Sequence, residues 1–516
     1  MSDQPNHEID CELVIGLVAA VGTKLSQVTE HLTEQLELAG YETQIISISS
    51  DLISMLKDVP ESRGNNFKRI NQLMTAGNEL RASACEVDDE LGRQGDAVLA
   101  YGAATRIFLD REKQGGTSLP NGKKAFIISS LKRPEEVDAL RAIYPQGFVL
   151  IGVHAEEDRR RENLISSKGM STEEANTLIQ RDGDESNVKH GQRVKKTFHL
   201  ADFFVSLAGG SDQIQGDISR MVRLWFGCPF YTPTFDEFAM YFAYSAALRS
   251  ADLSRQVGAV ITRNNQILST GANECPSAEG GLYWPERGMR TSEISDFPDG
   301  RDYTRGFDSN KKEQLAIIKK IVDRGVGEEF QLDRGKLQEL LEKSSIGDLT
   351  EYGRVVHAEM EALLSCGRIG VSTLKTNLYC TTFPCHNCAK HIIAAGVERV
   401  IYIEPYPKSK ALEFHDESID FSSEPSDNKD IPQKVRFEPF VGIGPRKFFD
   451  LFSMKLGSSY DLIRKDEETG KKIEWDIRNA RLRLQMKPSS YLDSEYSANV
   501  LFQQFQDDLA EQDGDA

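Results

Sequence analysis

His357, Glu359, Cys385 and Cys388 carry the chemistry most plainly legible in this sequence. One imidazole and two thiolates form a donor set for Zn²⁺. Three protein ligands leave the fourth tetrahedral position to water, which separates a catalytic site from a closed structural one. Zinc lowers the pKa of such a water from roughly 15.7 to about 7, so hydroxide becomes available at neutral pH. Glu359 is spaced to carry protons beside the metal and not to bind it. A lone histidine is more often a core residue, and a lone C-x-x-C could be a redox pair. Here His357, Glu359, Pro384 and the two cysteines agree in order and spacing, whereas a plain zinc knuckle would leave Glu359 as an ordinary helix residue. Nothing in the spacing requires His386, His391 or His415 as further ligands.

Two helix starts must aim these groups at one point. The pattern predicts a helix over 358–367 with His357 at its start, and a second over 386–395 with Cys385 and Cys388 on its first turn. The positive ends of both helices then favour the thiolate forms. Strands are predicted over 376–381 and 399–403. Upstream, Phe235 to Arg249 reads as a helix, and Gly258 to Thr262 with Ile267 to Gly271 as a hairpin turning at Asn264-Asn265. Residues 275–350 are a long polar insertion with one helix near Lys311 to Asp323, a length that goes with a lid or an oligomer contact. These elements make residues 231–430 one domain. Residues 431–516 follow as a C-terminal extension with a strand-like VRFEPF, a turn at GIGP and an acidic tail read as disordered.

The composite H-x-E … P-C-x-x-C is the signature of zinc deaminases. Around it, LRSADLSRQVGAVI, STGANE, HAEMEAL and LYCTTFPCHNCAKHIIAAGVERVIY resemble the deoxycytidylate deaminases of the cytidine deaminase superfamily, from Phe235 to about Glu404. The resemblance implies a cytidine-deaminase-like α/β/α sandwich around a mixed five-stranded sheet. It implies that Glu359 protonates ring N3 as hydroxide attacks C4, and later delivers a proton to the departing ammonia. It implies too that Asn273 meets the deoxyribose 3′-hydroxyl, that the backbone of Ala358 and Phe383 reads the cytosine edge, and that Arg249, Ser250 and Arg255 lie near the 5′-phosphate. Arginine forks suit phosphate oxygens on independent grounds.

Beyond that core, YPKSKALEFHDESI and FEPFVGIGPRKFFDLFS resemble the long bacterial deoxycytidylate deaminases of anti-phage systems, which carry an N-terminal P-loop kinase-like domain. The narrower resemblance implies deamination of dCTP and dCMP, drawing down the dCTP that a replicating phage needs. It implies a homo-oligomer and a dNTP effector, and leaves room for an inhibitory RNA or protein. A housekeeping dCMP deaminase supplying dUMP for thymidylate synthesis is the alternative enzyme, and the zinc motif does not separate the two.

Residues 1–230 alternate strands and helices, with strands at Leu13 to Ala20, Thr43 to Ile48, Ala125 to Ser130, Phe148 to Val153 and Leu200 to Ser206. Such alternation predicts a doubly wound parallel sheet, and a resemblance to the nucleoside monophosphate kinases implies a P-loop kinase-like domain, of regulatory use. Gly16, Gly22, Thr23 and Lys24 stand where a Walker A loop would be. The fit is worn, because five residues separate the glycines and Thr23 precedes Lys24. The strand AFIISS also ends in Ser129-Ser130 where a metal-holding Asp is expected. A nucleotide-sensing domain, a structural or inhibitor-binding module and an active kinase all remain open, in that order. Residues 155–197 are dense in charge and read as mobile helices over a sheet edge.

Composition bounds what remains. A chain of 516 residues is long enough for two or three domains, and 39% hydrophobic with 28% charged residues is globular. A formal net charge of −18 opposes non-specific binding to nucleic acid, so an RNA-binding or nucleic-acid-editing protein is the weaker alternative. The polar, acidic start of the chain and the lack of a long apolar run argue for a cytoplasmic protein without a membrane partner. Outside Cys385 and Cys388, six cysteines are scattered irregularly and read as small buried hydrophobes.

Overall fold

The computed structural model describes residues 11–514 except 58, 60–63, 87–93, 114–121, 184, 186–187, 288–292, 326–332, 350, 406–408, 422–433, 456–459 and 487–490. The expected boundary at 430 therefore lies outside the described residues, as do three residues of the YPKSKALEFHDESI stretch. By its internal contacts the chain divides into Met1–Pro233 together with Val441–Ala516, and Thr234–Phe440. Among the described residues no helix is long and apolar enough to cross a membrane.

In the first unit, the strands β1 (Leu13–Ala19), β2 (Glu42–Ser47), β3 (Lys124–Leu131), β4 (Phe148–His154) and β5 (Phe203–Ser206) pair in parallel in the order β2-β3-β1-β4-β5. Every residue of β1 is buried, which is what a central parallel strand covered on both faces requires. Helices such as Leu25–Leu38 and Pro134–Ile143 make the crossovers, giving the expected doubly wound sheet. The charged segment 155–197 forms helices Glu157–Ser166, Thr172–Gly183 and Val194–Phe198. Leu164, Met170, Ala175, Leu178 and Ile179 from this segment bury against Met74 in a cluster of their own.

The C-terminal segment departs from the expected free extension. Gly442–Ile443 adds an antiparallel strand to β5, and the acidic end lies in a helix, Leu492–Gly514. The cause is packing: Tyr491, Ala498, Phe502, Phe505 and Leu509 are buried. Arg111, fully enclosed, pairs with Glu12 at 2.8 Å and with Glu495 of the C-terminal helix, while the Tyr491 hydroxyl donates to Glu12 at 2.9 Å. Acidic composition along the tail's outer face concealed these inward residues.

The second unit carries β6 (Gly258–Arg263), β7 (Gln266–Ala272), a two-stranded ribbon β8 (Glu286–Arg287) and β9 (Ile294–Ser295), then β10 (Thr376–Thr382), β11 (Val397–Glu404), β12 (Ile419–Asp420) and β13 (Val435–Pro439). Six of these form one mixed sheet, β12-β13-β11-β10-β6-β7. The resemblance implied five strands, and the sixth is the two-residue edge β12. The β6–β7 hairpin turns at Asn264 and Asn265, both at positive φ (53° and 56°), as a tight type I′ turn demands.

Glycines set how closely the covering helices approach. A Cβ on Gly258 would lie 1.9 Å from the Ala243 carbonyl oxygen of helix Phe235–Ala247. One on Gly271 would lie 2.1 Å from the Ala358 carbonyl oxygen of helix Ala358–Arg368. Gly258 pairs with Ala272 and Gly271 with Ala259, so the two glycines face opposite sides of the sheet and the helices make a sandwich.

Candidate metal centre and active site

His357 is the N-cap of helix Ala358–Arg368, and Cys385 is the N-cap of helix His386–Ala394, with Cys388 on its first turn. The first helix start is strung to the end of β7 by a two-way backbone bridge between Val356 and Glu274, at 3.0 and 3.2 Å. The second follows β10 directly. His357 Nδ1 lies 3.3 Å from Cys388 Sγ and 3.4 Å from Cys385 Sγ, and one donor atom of each residue falls within 4.8 Å of the others. His386, His391 and His415 are not part of this cluster. The His391 Nδ1 instead meets the Asn387 carbonyl oxygen at 2.6 Å.

The electrostatics fit a divalent ion on these donors. Cys385 is drawn down to about 4, chiefly by its hydrogen bond with Cys388 and then by His357. His357 is pushed up to about 9, first by its hydrogen bond with Cys385 and also by the charge of Glu359. The Cys385 thiolate and the neighbouring Glu359 thus draw positive charge toward His357, and soft sulfur with imidazole nitrogen is the donor chemistry of Zn²⁺. Glu359 is 4% exposed, and burial raises its pKa above the usual carboxylate value. It reaches the Cys388 side chain through a hydrogen bond but lies outside the three-donor cluster.

Glu359, His357 and Cys385 open into a cavity of about 220 Å³ that Ala358, Asn273, Arg255 and Phe383 also line. Asn273 is fixed on both sides: its Oδ1 accepts from the Val257 amide at 2.7 Å and its Nδ2 donates to the Arg255 carbonyl oxygen at 2.8 Å. Ala358, as the first residue of its helix, has an N–H without an intrahelical acceptor. The Phe383 N–H is taken by the Glu404 carbonyl oxygen at 2.7 Å, and its ring packs on Tyr402, Phe421 and Phe437.

The three residues expected near a phosphate part company. Arg255 lines the cavity, but its guanidinium is engaged by Glu404 at 2.6 Å and Thr382 at 3.2 Å. Arg249 does not line it. Its guanidinium lies 3.6 Å from the centre of the Trp284 ring and donates to the Tyr283 carbonyl oxygen at 3.0 Å. Ser250 is 5% exposed and donates to the Asn273 carbonyl oxygen at 2.6 Å, so it positions Asn273.

Sequence reasoning missed Glu274, Asp252, Asp302, Asp308 and Asn310. The Glu274 carboxylate, 1% exposed, accepts from the Ala251 and Cys275 amides at 2.9 and 2.8 Å, tying the two loops that carry Ser250 and Asn273. Asp302, Asp308 and Asn310 come from the long insertion and line the cavity, a role no spacing signalled.

In the first unit, Gly16 sits inside β1, where a Cβ would meet Leu131 at 2.6 Å and Phe148 at 2.8 Å, so it serves strand packing. Gly22 is at φ +86° in the following loop, and Lys24 is the exposed N-cap of helix Leu25–Leu38. The loop is held by the chain's own groups. Asp182 accepts from the Val21 amide, Lys132 donates to the Ala19 carbonyl oxygen at 2.9 Å, and Asn163 donates to the Gly22 carbonyl oxygen at 2.8 Å.

Two helix starts, a three-donor metal cluster and an enclosed carboxyl on an α/β/α sandwich define a zinc-site deaminase of the hydrolase class. Residues 233–404 match the model of the "Cytidine and deoxycytidylate deaminase zinc-binding region". The deoxycytidylate deaminases of Enterobacteria phages T2 and T4 are 30% and 31% identical, each over 33% of this chain and over 79% and 77% of their own lengths. The chain belongs to the cytidine and deoxycytidylate deaminase family. A crystal structure of dCMP deaminase from the cyanophage S-TIM5 aligns with 18% identity over 41% of this chain and all of its own, at a TM-score of 0.22. Overlap of that degree carries no weight for function.

Proposed function

We propose that the second unit hydrolyses the exocyclic amine of deoxycytidine nucleotides, converting dCMP to dUMP and dCTP to dUTP with release of ammonia. The observation that carries this is Glu359: a buried carboxyl beside two thiol donors and an imidazole, facing a cavity of about 220 Å³. His357, Cys385 and Cys388 would hold Zn²⁺, which when bound supplies the Lewis acidity that makes water a nucleophile at neutral pH. Burial raises the proton affinity of Glu359, which suits a carboxylate that takes a proton from water and then passes it to the ring and the leaving amine. We assign a sugar hydroxyl to Asn273, whose side chain is immobilised on both sides, and the base to the Ala358 N–H; the fixed geometry of Asn273 supports this reading. Arg255 is the arginine of the cavity and the group to meet a 5′-phosphate, exchanging its Glu404 partner for phosphate oxygens.

Support for the nucleotide class also comes from the T2 and T4 relatives, whose names give deoxycytidylate as what they act on. Consumption of dCTP would deplete a pool that phage replication needs, and this is the biological role we attach to the reaction. The deciding experiment is turnover of dCMP, dCTP, CTP and deoxycytidine by the purified chain, read as ammonia released. Turnover of dCMP alone would leave a housekeeping enzyme. Deamination of oligonucleotides with free nucleotides untouched would overturn the proposal.

A further inference from the structure

The first unit holds a second cluster of mixed metal donors, far in sequence from the deaminase motif. Cys85 lies at the end of helix Phe67–Glu86, Asp96 in the turn Gly95–Ala97, and His190 in the loop before helix Val194–Phe198. One ligand atom of each falls within 4.8 Å of the others. His190 Nδ1 is 2.8 Å from Asp96 Oδ1 and 3.8 Å from Cys85 Sγ. At the deaminase site the corresponding separations from His357 Nδ1 are 3.3 and 3.4 Å. In both clusters one imidazole nitrogen faces both other donors, which is how ligands converge on a common ion. A Cys-His-Asp proton relay needs the two different ring nitrogens to face the thiol and the carboxylate, so the same geometry speaks against a catalytic triad.

The surroundings are built to hold these three groups in place. A Cβ on Gly95 would lie 2.5 Å from the Cys85 nitrogen and 2.6 Å from its sulfur, so only glycine lets the turn bring Asp96 this close. Arg133 is fully buried and organises the other two donors. It donates to the outer oxygen of Asp96, Oδ2, at 2.8 Å, leaving Oδ1 toward His190. It also holds the carbonyl oxygens on either side of His190, those of Gly191 at 2.8 Å and Lys189 at 3.5 Å. Orientation of metal ligands by such outer partners is the rule in protein metal sites. Arg133 divides its charge between Asp96, at 2.8 Å, and Glu135, at 3.0 Å.

We infer that Cys85, Asp96 and His190 form a second metal site, taking Zn²⁺ or a divalent ion of similar softness. Sulfur and imidazole exclude Mg²⁺ and Ca²⁺, which take oxygen ligands. The three donors are partly exposed, so an ion can enter and water can complete a tetrahedron. Binding displaces the Cys85 thiol proton to solvent. The ion ties a helix end, a turn and a loop from three separate stretches of chain.

The test is the metal content of the untagged 516-residue chain after dialysis against metal-free buffer. Two zinc ions per chain are expected, falling to one in the Cys85→Ala/His190→Ala double variant, which keeps deaminase turnover. Cys388→Ser should lose the other ion. One zinc per chain in the unaltered protein, or two that survive the double substitution, overturns the inference. Should the double variant fail to fold, Asp96→Asn and a Co²⁺ titration take its place. In a Cys385→Ser/Cys388→Ser background, the absorption of a cobalt–thiolate bond can then come from Cys85, should vanish on adding Cys85→Ser, and its absence before that step overturns the site.

Discussion

Asp182 Oδ2 accepts a hydrogen bond of 2.6 Å from the Val21 amide, in the loop where a nucleotide phosphate would be cradled. A carboxylate and a phosphate oxygen compete for the same donor. Lys132 also ion-pairs with Asp182 at 2.7 Å, so this cation beside the loop is committed to that carboxylate. ATP or pyrophosphate should therefore bind the Asp182→Asn variant of the 516-residue chain more tightly than the unaltered one, by calorimetry. Lys24→Ala should leave deamination unchanged without effector and blunt any response to added dNTPs. Equal affinity in Asp182→Asn, with no response in either protein, would make the loop a structural relic.

Glu359→Gln removes the proton carrier and no ligand. It should retain zinc and fold while deamination falls by about 10²–10⁴-fold, the usual worth of positioned acid–base catalysis. Cys388→Ser replaces a soft ligand by a hard, neutral one and should lose both metal and activity. Metal analysis alongside turnover separates the two variants; full activity in either would sink the assignment behind it.

The deaminase site was legible because its signal is local. Helix starts at His357 and Cys385 show as short motifs, and the hairpin shows as Asn264-Asn265 between alternating residues. What failed to show depends on distance or on burial from all sides. Helix Val98–Lys113 buries Ala100, Ala103, Ala104 and Ile107 together with Leu99 and Tyr101, so it lacks the one-sided periodicity that marks a helix. Cys85, Asp96 and His190 meet only through the fold, and Asp302, Asp308 and Asn310 reach the cavity from an insertion whose sequence is merely polar. Arg249 illustrates the converse: its residue type suits phosphate, but only the structure shows it lying over Trp284.

Gly271→Ala tests the seating of the catalytic helix. The new methyl would meet the Ala358 carbonyl oxygen at 2.1 Å and the Ala362 nitrogen at 2.6 Å, and neither backbone atom can give way without moving the helix. A loss of about 1–3 kcal/mol is expected, as for overpacked cores. Because the helix carries Glu359, turnover at 25 °C should fall in protein that is still folded. Gly470, at φ +67° with nothing near its hypothetical Cβ, serves as a control for which the helix should not move.

The last prediction concerns acid. His154 ends β4, its Nδ1 is enclosed without a hydrogen-bond partner among the described residues, and its pKa is lowered to about 4. Burial is the main cause and the charge of Arg160 adds to it, with Glu156 opposing. The histidine is therefore neutral in the fold and takes up a proton in the unfolded chain near its ordinary value of 6.5. Between those values the unfolded state binds more protons, so stability falls as pH drops from 6.5 and levels off below about 4. The full effect is about 3 kcal/mol at most. Urea unfolding followed by tryptophan emission, in a Trp284→Phe background for both proteins, reads the first unit, since Trp225 and Trp475 lie in it and Trp284 in the other. His154→Leu should lose less stability than the unaltered chain between pH 7 and pH 4, whereas carboxylate titrations shared by both cancel in the comparison. Parallel pH profiles for the two proteins would show that His154 exchanges protons as freely in the fold as outside it.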